Sequence, residues 1–85
     1  MAPMPAGDPM GAPIELDVRL LPPPEPMERI LEALPDIEAG GALRMIHHRE
    51  PFPLYGILAQ RGYAWHVRRM GEGHFEILIW RALTP

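Results

Sequence analysis

Four histidines and one Arg-Glu pair hold most of the chemistry this sequence can offer. They are His47, His48, His66 and His74, with Arg49-Glu50 directly after the second. The chain has no Cys, Ser, Lys or Asn, and its Thr is Thr84. Covalent catalysis draws mostly on Ser, Cys, Thr and Lys. Asp, Glu, His and Tyr are therefore left as nucleophiles or bases, and no catalytic residue is assigned. Imidazole suits Zn, Cu, Ni and Fe, so His47, His48, His66 and His74 are the alternative metal set. Their spacing matches no familiar metal motif. Solvated or hydrogen-bonded histidines are the competing reading, and no cofactor is expected. Arg49-Glu50 stands before Pro51, at the mouth of an expected helix. It reads either as a ligand-binding corner or as a carboxylate placed favourably at a helix N-terminus.

These residues need a scaffold, and hydrophobic periodicity supplies one. Ile14, Leu16 and Val18 alternate with Glu15, Asp17 and Arg19, the period of a half-buried strand. Pro22, Pro23, Pro24 and Pro26 cannot continue it, but proline fits the first turn of a helix. Met27, Ile30, Leu31 and Leu34 then make one apolar helical face, closed by Pro35. Ala42 to His47 is a second strand. Leu54, Ile57 and Leu58, with Tyr55 beside them, form a second helix ending at Gly62. Tyr63, Trp65 and Val67 alternate as a third strand, and Phe75, Ile77 and Ile79 as a fourth. Between them Met70 to Gly73 reads as a turn. The expected order is β-α-β-α-β-β, an α/β (α+β) two-layer sandwich closing in a hairpin.

Pairing Val67 with Phe75 places Trp65 opposite Ile77 and Tyr63 opposite Ile79, and keeps all the large apolar residues on one face. The other face then carries His66, Arg68, His74, Glu76, Leu78 and Trp80, with Glu76 across from His66. A two-layer fold leaves that face open. His66, Arg68, Glu76, Leu78 and Trp80 are accordingly the candidate interface, because exposed aromatic and Arg side chains mark contact surfaces. Scattered exposed apolar residues are also ordinary.

Composition bounds the rest. The net charge is −3 and 47% of residues are hydrophobic, too apolar for a disordered chain. Residues 1–41 carry −6 and residues 42–85 carry +3, all from Arg on the basic side. No nucleic-acid partner is expected from that total. No apolar run reaches the ~20 residues of a membrane span, and no basic residue precedes an apolar segment at the N-terminus. With no Cys, the expected location is cytoplasmic. Residues 1–13, rich in Pro, Gly and Met, read as a disordered tail, and residues 14–83 as a single domain.

Leu16-Asp17, Leu21 and then Pro23-Pro24-Glu25-Pro26-Met27 resemble the signature of the TusA-like, or SirA-like, domain. That signature is a Leu-Asp strand, a Gly-Leu pair and Cys-Pro-x-Pro opening the first helix. Pro23 stands where the family has its Cys, and Leu20 where it has Gly. Together with Arg49, Glu50, Pro51, Phe52, Pro53, Leu54 and Tyr55, and a closing Trp80-Arg81, the chain is similar to a cysteine-less, TusA-related branch of bacterial domains of unknown function. The resemblance implies a four-stranded mixed sheet with both helices on one face. It also implies an association with denitrification and hemerythrin-like domains. In TusA-like carriers the Cys sits at a helix N-terminus, where the dipole lowers its pKa. Pro23 cannot hold a persulfide.

Two function classes follow. The first is a non-enzymatic adaptor or regulatory module that binds a protein partner or itself, through the open sheet face or the Pro-rich corner. The second is a small metal- or haem-binding domain using the histidines. The corner (Arg19, Pro23, Pro24, Glu25, Pro26 and Met27) reads either as a rigid strand-to-helix joint or as a ledge for a partner. Arg19 is within reach of Asp17, Glu25 or Glu28 as an ion pair.

Overall fold

The structure is a computed structural model that describes residues 14–38 and 40–82. The element order is β1 (Ile14–Asp17), α1 (Glu25–Ala33), a 3-10 turn (Leu34–Asp36), β2 (Leu43–His47), α2 (Phe52–Gln60), β3 (Tyr63–Gly71) and β4 (His74–Arg81). The four strands form one mixed sheet in the order β1-β2-β4-β3. β1 and β2 are parallel, and both other pairings are antiparallel. The expected α+β sandwich is the observed fold. The tail expected over residues 1–13, and residue 83 of the expected domain, lie outside the described residues.

Strand periodicity decides which face is covered. Leu43, Met45 and His47 alternate inward along β2, paired with Ile79, Ile77 and Phe75 of β4. Ile30 and Leu34 from the first helical segment, and Leu54 and Leu58 from α2, meet that same face in the core cluster. Each such side chain contributes about 1.5–3 kcal/mol on burial. Both helices thus lie on one side. Among the described residues, no helix is long and apolar enough to cross a membrane.

α1 begins through prolines. Pro24 is its N-cap residue and Pro26 is buried in the first turn, while Glu25 and Glu28 line that turn. The Pro23–Pro24 peptide bond is cis. At the far end of α2, Gly62 takes φ 86, as its place after the helix required. The 3-10 turn carries contacts that periodicity did not foresee. Ile37, just past it, is 1% accessible. The Tyr63 hydroxyl donates to the Leu34 carbonyl at 3.1 Å, and Arg81 Nε donates to the Ile37 carbonyl at 2.7 Å.

The hairpin register differs from the expected one by two residues. Val67 pairs with Ile77, Trp65 with Ile79 and Tyr63 with Arg81. β3 runs on to Gly71, with a bulge between Arg69 and Gly71, and the turn shrinks to Glu72-Gly73 with Gly73 at φ 66. A shift of two preserves which residues share a face. It does place His66 opposite Leu78 and Arg68 opposite Glu76, correcting the expected His66–Glu76 pairing.

The open face is charged along its middle. Arg44 Nη1 donates to Glu15 Oε2 at 3.0 Å, Arg44 Nε lies 3.8 Å from Glu76, and His74 Nε2 lies 3.5 Å from Glu76. Trp80, expected as an exposed aromatic there, is only 6% accessible, and its indole N–H meets no acceptor among the described residues. The candidate interface therefore lacks the exposed aromatic expected of it. Leu78 and Glu76 are half-buried, while His66 and Arg68 are exposed.

Candidate functional site

β1, β2 and β3 run in the same direction, so their C-terminal ends gather at one end of the sheet. Both helices open there. The two sequence motifs, separated by more than twenty residues, meet at this end. The Pro-rich corner (Leu21, Pro23, Pro24, Pro26, Met27) and the second motif (Arg49, Glu50, Pro51, Pro53, Leu54) line one cleft of about 240 Å³. Met45 and His47 of β2 also line it. Leu20, 97% exposed, follows β1 at the same end of the sheet. Proline makes the corner possible. It fixes φ, leaves few amide donors free and exposes ring carbons to the opening.

The second motif is organised around its own hydrogen bonds. The backbone N–H of Arg49 donates to His47 Nδ1 at 3.1 Å, and Arg49 Nε donates to His48 Nε2 at 3.3 Å. The two imidazole rings sit 4.7 Å apart. Each accepting nitrogen carries no proton, so the N–H lies at Nε2 of His47 and at Nδ1 of His48. His48 Nδ1 is buried without an acceptor among the described residues. His47 is 7% accessible. Burial first, then the charges of His48 and Arg49, hold its pKa below the ordinary value. Its side chain faces the helices, not the open sheet face.

Glu50 does not cap α2 with a hydrogen bond, since that helix has no side-chain cap. Its carboxylate instead accepts from the Tyr55 hydroxyl at 3.1 Å. Burial and this bond to Glu50 push the Tyr55 pKa upward. The Tyr55 ring stacks on Trp65, with centroids 5.1 Å apart and planes at 9°, and Phe52 meets Tyr55 edge-on at 6.0 Å. The motif thereby ties the α2 opening to β3.

At the first corner, Arg19 resolves to Asp17 rather than Glu25 or Glu28. Its Nη2 lies 2.6 Å from Oδ2 and its Nε 2.9 Å from Oδ1. These bonds lower the Asp17 pKa to about 2 and raise that of Arg19.

The alternative metal set does not converge. Among the described residues, no group of three or more His, Asp or Glu side chains is placed to hold a metal ion. His66 stands exposed on the open face, while His47 faces the helices. Arg49 already occupies one ring nitrogen on each of His47 and His48.

A second cleft, of about 660 Å³, lies on the other side of the His48-Arg49-Glu50 segment and is walled by Phe52, Phe75 and Arg69. Sequence reading did not connect Arg69 or Phe75 to the second motif. Phe75 is legible in the sequence as the first apolar residue of the fourth strand, and Arg69 by its place beside a glycine-rich turn.

Fold and clefts together define a small two-layer α+β domain with its motif residues gathered at one end of the sheet. The chain belongs to the family of uncharacterized conserved proteins DUF2249, whose profile matches residues 15–81. Neither the curated proteins nor the solved structures include a match to it.

Proposed function

We propose that the chain is a non-enzymatic protein-recognition module, a TusA-like domain without the sulfur-carrying thiol, whose partner docks at the cleft between the two helix-opening motifs. The observation that carries this reading is the convergence of Pro23, Pro24, Pro26 and Met27 with Arg49, Glu50 and Pro51 around one opening. At about 240 Å³ the opening falls below the ~300–1,000 Å³ of small-molecule sites. It suits one or two side chains inserted by a partner. Apolar walls with an Arg at the rim, beside the exposed Leu20, are the usual make-up of an interface anchor point.

The alternative surface, the open sheet face, is less favoured. Its charged row runs Glu15–Arg44–Glu76, and Trp80 is not accessible there. The non-enzymatic part rests on chemistry. The histidines lining the cleft each give a ring nitrogen to an Arg49 donor, and the chain offers no Ser, Cys or Lys nucleophile. The TusA-like part rests on the strand and helix order and on the proline corner where that family carries its thiol.

A photo-crosslinking residue in place of the fully exposed Leu20 tests the reading. It should give a discrete adduct with one host protein, absent when the crosslinker replaces Arg61 at the far end of α2. That partner, purified, should bind the unlabelled protein about tenfold more weakly after Met27→Gln. Equal adducts from both positions, or binding indifferent to Met27→Gln, would count against it.

A further inference from the structure

We propose that the second cleft, between the opening of α2 and the β3–β4 hairpin, binds a small organic monocarboxylate with an aromatic or branched apolar body. This site is distinct from the partner cleft, across the His48-Arg49-Glu50 segment. Its volume of about 660 Å³ falls within the small-ligand range. Phe52 and Phe75 give apolar walls, and Arg49 and Arg69 supply the cations. A guanidinium carries five donors in a fork that matches a carboxylate. Arg49 commits one of them to His48, and neither arginine pairs with a carboxylate among the described residues. The Arg69 guanidinium carbon lies 5.8 Å from the Phe75 ring centroid, held there by cation–π attraction.

Two further features belong to this cleft. The β-bulge falls immediately after Arg69, and bulges re-aim side chains beside functional sites. The hairpin tip also comes back to the second motif. A Cβ at Gly73 would sit 4.0 Å from the His48 carbonyl, so the turn packs beside the histidine loop. His48 also stands on the cleft wall, with its Nε2 taken by Arg49 Nε.

The charge balance selects the ligand class. Glu50 also lines the cleft, and its carboxylate accepts from the Tyr55 hydroxyl. Two guanidiniums and one carboxylate leave a single positive charge, which a monoanion matches and a phosphate dianion exceeds. Phe52 and Phe75 call for an apolar body on that anion.

The test is titration of the full chain, followed by calorimetry and amide NMR, with phenylacetate, benzoate and isovalerate. Benzyl alcohol and inorganic phosphate are the controls. At least one carboxylate should saturate with a Kd below about 1 mM, moving the amides of Arg49, Phe52, Arg69 and Phe75. Arg69→Gln, with an unchanged circular dichroism spectrum, should weaken it about tenfold, and Arg61→Gln should not. Failure of all three carboxylates to saturate overturns the proposal. So do equal binding of benzyl alcohol or phosphate, indifference to Arg69→Gln, and shifts confined to Met27 and Met45 of the other cleft. The crosslinking result from Leu20 is independent of each of these outcomes.

Discussion

The backbone N–H of Arg49 donates to Nδ1 of His47 at 3.1 Å, at the point where β2 ends and the second motif begins. That bond exists only while Nδ1 is unprotonated, so protonating His47 means breaking it or turning the ring. Burial already lowers the His47 pKa in the folded chain. The unfolded chain therefore binds more protons below pH ~6.5, and stability falls as pH drops through that value toward the folded pKa. Urea denaturation at pH 7.5 and 5.0 should give a lower midpoint at the acid end. His47→Gln, whose side-chain oxygen can still accept from Arg49, should shrink the difference. A midpoint in the wild-type protein that is flat over this range would contradict the argument.

Asp17 titrates with the opposite sense. Its folded pKa of about 2 lies below the unfolded value near 3.9, because of the bonds from Arg19. The stabilisation is present above the unfolded pKa and is lost as pH falls to about 2. Asp17→Asn should flatten the acid limb of the stability curve below pH ~4 and leave the pH dependence between pH ~6 and ~8, which His47 sets, unchanged. Thermal melts from about pH 2 to 8 measure it.

Tyr55→Phe keeps the ring that stacks on Trp65 and removes only the hydroxyl that donates to Glu50. The expected cost is about 0.5–1.5 kcal/mol, the net worth of one hydrogen bond. Chemical denaturation reads this. In the carboxylate titration the same variant should bind more weakly, since Glu50 is freed to repel the anion.

Two residues on one sheet face should behave differently. Trp80→Ala is expected to cost about 3–5 kcal/mol, as for a large buried side chain, given its 6% accessibility. Arg44→Ala, which breaks exposed contacts to Glu15 and Glu76, should cost less than about 1 kcal/mol. Denaturant midpoints of the two variants compare them directly, and similar losses would refute the burial assigned to Trp80.

Periodicity made the strands and helices legible because alternation and 3.6-residue spacing follow directly from burying one face. Val67 and Ile77 shared a face under either register, so the face was readable although the pairing was not. The register depended on a bulge after Arg69 and a two-residue turn at Gly73, which backbone geometry sets and apolar spacing does not. Ile37 escaped for a related reason, since a lone apolar residue beyond a proline has no period to reveal it. The two motifs were visible separately, as Pro23-Pro24-Glu25-Pro26 and as Arg49 to Tyr55. Their meeting around one cleft depends on β1 and β2 being parallel neighbours, a long-range relation that no local pattern encodes. His47 was placed by strand parity once β2 was seen to carry Leu43, Met45 and His47 on one side.

β3 borders the sheet with nine residues, long enough to recruit another polypeptide by backbone pairing. It carries Arg68 and Arg69 and no acidic residue. Two such borders brought together would align cation against cation, and the kink after Arg69 would spoil the hydrogen-bond ladder at the end. Fibrillar growth from this margin is therefore discouraged by electrostatic repulsion and by shape.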